Sequence, residues 1–164
     1  MPLTVRRVRP GEYKAVGELV LAAYRALPYY HPEPEYEAEL LNTGRRAEVA
    51  EVLVAVSDDR VLGAVTYVAS SRNEYAEWDD DDAAGFRMLA VALDAQGRGV
   101  GEALVRACIA QGRADGRGCL VLHSTPWMTT AHRLYARLGF RRAPERDYSP
   151  VPAVPLLGFE LDLA

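Results

Sequence analysis

The chain has 164 residues, 49% of them hydrophobic and 26% charged, with a net charge of −4 at pH 7. That length suits one domain over residues 1–164 with a real core, and the negative balance argues against a nucleic-acid binder that uses its whole surface. No apolar run approaches the ~18 residues needed to cross a bilayer, residues 1–15 lack a signal-peptide core, and Cys108 and Cys119 form no CxxC framework, so a cytoplasmic, non-membrane protein is expected.

In chain order, "LTVRRVR" at 3–9 alternates apolar and basic residues and reads as a first strand. Pro10 suits a first helical position, and Val16, Leu19, Val20, Ala23 and Leu27 recur at helical spacing, giving an amphipathic helix over 10–27. The prolines of "LPYYHPEPEY" break it, and a weaker helix follows over 34–47. "EVLVAVSDDRVLGAVTYV" reads as a β-hairpin turning at Ser57 to Arg60. Residues 70–84 are polar and acidic, hence a loop, and "GFRMLAVA" at 85–92 is a near-continuous apolar strand of the kind buried inside a sheet. Beyond three glycines, Val100, Ala103, Leu104, Ala107 and Cys108 share one helix face, with Glu102 and Arg106 four apart on the exposed side. "CLVLHS" at 119–124 is another strand. Thr125 and Pro126 read as the cap and first residue of a helix with the stripe Ala131, Leu134, Tyr135 and Leu138, stopped by Gly139. A short strand at 140–142 and a last one at 155–163 complete an α/β (α+β) layered domain, helices over a mixed sheet.

The chemistry concentrates in "DAQGRGVG", between a strand and a helix. It reads either as a plain connector or as a turn whose bare N–H groups grip an anion at a helix start. The helix dipole and Arg98 favour negative charge there. A P-loop needs a lysine that is absent, and the third glycine of GxGxxG would fall at Glu102, so both nucleotide fingerprints weaken. The three histidines lack metal-site spacing, and no metal is expected.

Gln96, Gly99 and Gly101 match the motif Q/R-x-x-G-x-G/A, and "FRMLAV" before it and "AHRLYARLGF" at 131–140 after it fit the same pattern. The chain therefore resembles the GCN5-related N-acetyltransferases (GNAT), well over 85–142 and loosely in the first helix. The resemblance implies a mixed, mostly antiparallel central sheet of six to seven strands with about four helices, its two middle strands splayed around acetyl-CoA. It implies an acyltransferase that moves the acetyl group from acetyl-CoA to a primary amine by direct attack in a ternary complex. The expected partner is a small-molecule or peptide amine, with no metal, nucleic acid or membrane involved, and a homodimer is compatible. A non-enzymatic acyl-CoA-binding or sensor domain is the alternative on the same fold, and a nucleotide-phosphate binder a more distant one.

Carried over by position, the backbone N–H groups of Gly97, Arg98, Gly99, Val100 and Gly101, with Glu102, would hold the pyrophosphate, Gln96 is a further cofactor-binding candidate, and the strand edge at Leu89, Ala90 and Val91 would pair with the pantetheine amides. Where the family often has Asn, this chain has Met128. Tyr135 occupies the place of the general acid, although its stripe alone would make it a packing residue. His123, at a strand end, is the base candidate, with Glu77 and Asp82 comparable. For the acceptor, Tyr29, Tyr30 and Glu77 are the substrate-binding candidates, and the acidic run "EYAEWDDDD" at 74–82 reads either as a solvated surface loop or as a charge that would draw in a cationic amine.

Overall fold

The computed structural model describes residues 2–164. Strand β1 (Thr4–Arg7) leads into a single 3₁₀ turn at Pro10–Glu12, and only then into helix α1 (Tyr13–Arg25). The proline therefore opens the turn and not the α-helix. Glu12 fixes this corner: its carboxylate accepts from the Arg9 backbone N–H at 2.8 Å and from the Arg6 guanidinium at 2.8 and 3.0 Å. The Arg6 hydrogen bond holds the Glu12 carboxyl down at about 2.

The helix expected over 34–47 is two helices, α2 (Pro34–Leu41) and α3 (Thr43–Val49). Asn42 breaks it at φ −88°, ψ 63°, where its side chain caps α3 by accepting from the Arg45 N–H at 3.2 Å. Arg46 holds the corner from inside. Only 1% exposed, it donates to the carbonyls of Glu39 and Leu40 and, from Nε, to Thr66 Oγ1 at 3.1 Å.

Strands β2 (Glu51–Ser57) and β3 (Arg60–Val68) form the expected hairpin, with Ser57 opposite Arg60. Asp58 and Asp59 both take left-handed φ, 49° and 62°, as a two-residue type I′ turn requires. Strand β4 (Ala83–Val91) begins two residues earlier than its apolar run suggested. A 3₁₀ turn at Leu93–Ala95 precedes α4 (Val100–Ala114), and β5 (Cys119–Ser124) follows. Helix α5 (Thr129–Arg137) starts four residues later than Thr125, because 125–128 close as a turn with the Met128 N–H on the Thr125 carbonyl at 3.2 Å. The chain ends with β6 (Arg141–Arg142), a 3₁₀ turn at Pro144–Arg146, β7 (Tyr148–Val151) and β8 (Val154–Asp162).

The strand order is β1-β2-β3-β4-β5-β8-β6, with β7 on β8 off this path. β4 and β5 run parallel, while β1–β2, β2–β3, β5–β8, β6–β8 and β7–β8 are antiparallel. The mixed, mostly antiparallel sheet thus has eight strands, β7 having been hidden by Pro150. The β4–β5 ladder holds only three pairs, Ala83 with Cys119 through Gly85 with Val121, so Phe86 to Val91 lie beyond its last pair. Met88 sits in this stretch at φ +55°, a left-handed kink within a strand that costs a non-glycine residue about 1–2 kcal/mol.

By its contacts the chain divides into two compact units. The first comprises residues up to Tyr67 with Met88–Cys108; the second comprises Val68–Arg87 with Ile109–Ala164. In the first unit, Val16 and Val20 of α1 and Leu40 of α2 pack with Val52, Val54 and Ala64 of the hairpin and with Met88 and Ala90 of β4. In the second, Phe86, Tyr135, Phe140 and Phe159 form an aromatic cluster with ring centroids 5.7–6.3 Å apart.

Candidate functional site

The glycine turn lies in the first unit. Gly97 and Gly99 have φ of +77° and +80°, and a Cβ built on either would meet nothing within 4 Å. Backbone conformation therefore dictates glycine here, and open space lies where side chains would be. Gln96, Gly97, Arg98 and Gly99 are all exposed. Gly99 caps α4, its carbonyl accepting from the Ala103 N–H at 3.0 Å, so the N–H groups of Val100, Gly101 and Glu102 have no acceptor inside the helix. Arg98 makes no hydrogen bond or ion pair among the described residues. Glu102 turns its carboxylate to Arg106 at 3.0 Å, which keeps that charge occupied along the helix.

The start of α4 beside this turn is closely packed. Val100 and Leu104 are fully buried and approach Gly63 of β3 so closely that a Cβ there would lie 2.7 Å from Val100 and 2.9 Å from the Ala90 carbonyl. The strand candidates sit in the same unit, Ala90 buried and Leu89 and Val91 half-buried. Seven loop positions and three strand positions picked from sequence are thus gathered in one unit. The turn fits a diphosphate: bare N–H groups at a helix start, an uncommitted guanidinium and no side chain in the way.

Tyr29 and Tyr30 also belong to the first unit. Tyr29 is 82% exposed. Tyr30 donates its hydroxyl to Glu37 at 2.5 Å, and burial together with this bond pushes its pKa up to about 12. Glu37 also takes a two-pronged bond from Arg25, at 2.8 and 2.9 Å, which with Tyr30 holds its carboxyl at about 2.

The second unit holds Tyr135, His123 and Glu77. Tyr135 is 5% exposed and in ring contact with Phe86, Phe140 and Phe159, as a packing stripe would place it. His123 Nε2 lies 2.9 Å from the Arg146 carbonyl. A carbonyl only accepts, so Nε2 donates this bond, and in the neutral ring Nδ1 then has the lone pair. That Nδ1 is buried with no hydrogen-bond partner. The His123 ring meets Tyr148 edge to face at 5.1 Å, and the Tyr148 hydroxyl donates to Glu77 at 3.0 Å.

Asp82 is occupied structurally, accepting from the Gly118 N–H at 3.1 Å. Asp80 accepts from the Asp82 N–H at 2.9 Å and Asp81 from Ser71 at 3.0 Å, so much of the acidic run holds its own loop in shape. His132 lies 3.1 Å from Ser124 Oγ, and burial pushes its pKa down. Burial likewise raises both thiols, far up for Cys108, which leaves neither suited as a nucleophile. Sequence reasoning missed Tyr148 and Arg146, which lie in the proline-interrupted tail and reach Glu77 and Asp80 only through tertiary pairing.

Among known proteins, N-acetylaspartate synthetase of Danio rerio is 33% identical over 101 residues, 62% of this chain and 33% of that protein. The chain thus spans about a third of the length of this curated relative. A GCN5-related N-acetyltransferase from Kribbella flavida is 25% identical, with a TM-score of 0.72 over 98% of this chain and 97% of that one. An acetyltransferase from Salmonella typhimurium, solved with its cofactor acetyl-CoA, shares the fold at 20% identity and a TM-score of 0.71, covering 99% of this chain and 94% of the other. The family model for GNAT acetyltransferases matches residues 15–140, and the chain belongs to that family.

Proposed function

We propose that the chain is a single acetyl-CoA-dependent N-acetyltransferase domain that acetylates a primary amine on a small molecule or peptide. The observation that carries this reading is the exposed glycine turn at the head of α4, open where a diphosphate would lie and flanked by Arg98. Residues 97–102 would hold the pyrophosphate, and the edge of β4 at Leu89 to Val91 the pantetheine amides, as an added strand. Bound acetyl-CoA supplies a thioester whose acetyl group an amine nitrogen can take directly.

His123 is the base in this reading. Its tautomer, fixed by the Arg146 carbonyl, leaves Nδ1 as a buried acceptor for one amine proton. The N–C bond would form as the C–S bond breaks, and the Tyr135 hydroxyl would donate a hydrogen bond to the departing sulfur. A phenol is ordinarily a weaker acid than a thiol, so full proton transfer to the sulfur is not needed. A hydrogen bond to the developing charge gains much of the benefit without that transfer. The free cysteines suit a cytoplasmic setting.

The test is CoA release from acetyl-CoA with an amine panel that includes aspartate, the acceptor suggested by the Danio rerio relative's name, alongside a calorimetric titration with acetyl-CoA. Turnover with any amine supports the transferase reading. Binding without turnover selects the sensor domain instead, and no binding removes both.

A further inference from the structure

In the second unit a cavity of about 750 Å³ opens between the loop that leads into β4 and the segment from β6 to β8. Trp78 and Tyr148 line it. Trp78 is pinned there: its Nε1 donates to the Ala83 carbonyl at 3.0 Å, and its ring fills the space beside Gly85 where any side chain would collide.

The charges around the cavity are unequal. Arg146 donates to Glu160 at 2.7 Å and to Asp80 at 3.2 Å, while Arg141 donates to Glu145 at 2.9 Å and also to Glu160. Both guanidinium groups are committed, and their three carboxylate partners still leave one negative charge in excess. Glu77, with only 11% of its side chain exposed, has Arg87 at 4.0 Å and the Tyr148 hydroxyl at 3.0 Å. Asp79 lines the cavity from an exposed position and has no hydrogen bond or ion pair among the described residues. An anion entering here would have to displace carboxylates from both arginines. A cation meets the unpaired Asp79 carboxylate and this excess of negative charge in a cavity that Trp78 and Tyr148 also line, and aromatic rings attract ammonium groups.

A second feature ties the cavity to the chemistry. The Tyr148 ring that lines it also covers His123, whose buried Nδ1 has no partner. We infer that this cavity receives the acceptor and selects an amine of the polyamine class, holding an ammonium group other than the one acetylated against Glu77, Asp79 and the Trp78 and Tyr148 rings. The inference rests on the transferase reading above and names its substrate class.

The full chain, with saturating acetyl-CoA, is assayed for CoA release with spermidine, ethanolamine and aspartate. Spermidine should exceed aspartate in kcat/KM by at least about tenfold. The Glu77→Gln/Asp79→Asn variant should lose at least about tenfold in kcat/KM for spermidine, about 1.4 kcal/mol, mainly through KM. Its loss with singly charged ethanolamine should be smaller, and the KM for acetyl-CoA should not change. Should the double variant fail to fold, Asp79→Asn alone, at a partnerless exposed carboxylate, carries the test with the same signature at smaller size. Equal use of aspartate and spermidine, or variants that keep the parental spermidine kcat/KM, would overturn the inference and leave the transferase reading standing. No CoA release with any amine overturns the transferase reading itself.

Discussion

Gly85→Ala is the most exacting small perturbation of the second unit. A methyl group there would lie 2.4 and 2.5 Å from two carbons of the Trp78 ring and 2.6 Å from the Val121 carbonyl. Something must move, and neither neighbour moves freely. Trp78 is held by its 3.0 Å bond to the Ala83 carbonyl, and Val121 is the partner of Gly85 in the last pair of the β4–β5 ladder. Forcing an extra methyl into a packed site costs about 1–3 kcal/mol, and losing the indole hydrogen bond adds about 1 kcal/mol. At about 2–4 °C per kcal/mol for a chain of this length, the melting temperature should fall by about 4–16 °C. Thermal melts followed by circular dichroism measure it. Adding Trp78→Ala should make the pair of changes less than additive, since the larger part of the clash is then gone. A Gly85→Ala protein melting within about 2 °C of the parent would refute the argument that the indole occupies the space of a side chain at 85.

Three other outcomes are expected. Gly99→Val should weaken acetyl-CoA binding at least about tenfold by calorimetry, whereas Gly116→Val, equally strained at φ +73° with open space around it, should leave affinity unchanged. Tyr135→Phe keeps the ring within its aromatic cluster, so kcat should drop while acetyl-CoA binding and melting temperature stay near parental values; normal turnover with lost stability would make it a packing residue only. Because Arg25 and Tyr30 depress Glu37 from 4.5 to about 2, its contribution to stability is complete above about pH 4.5 and is lost as pH falls toward 2. Arg25→Met should flatten that part of a pH series of urea melts, and an unchanged slope would contradict it.

The parts legible in the sequence are those set by local rules. Two aspartates between alternating strands are enough to place the turn at 58–59, and glycines between a strand and a helical stripe place the open turn before α4. Less visible were features decided by competition between neighbours. Asn42 serves as a cap and splits one apolar pattern into two helices, and Thr125, a good cap by residue type, closes a turn and leaves the helix start to Met128. Pro150 concealed β7, since an exposed edge strand tolerates a missing N–H group that an inner strand does not. Glu77 could be singled out as an acid beside an aromatic residue. Its pairing with Tyr148 joins positions 71 residues apart, and no periodicity records that.

The buried Arg46 has a consequence for how the first unit opens and closes. Helices of eight and seven residues are too short to persist alone in water. Their corner encloses a guanidinium bonded at once to the end of α2 and to Thr66 of β3. A charge in that position is tolerable only while all of its acceptors are in place, because losing one exposes the rest to the full penalty of desolvation. Fraying one helix at a time is therefore unfavourable. The α2 end, α3 and the Thr66 end of β3 should form and melt as one cooperative block, whose slowest-exchanging amides share a single opening free energy.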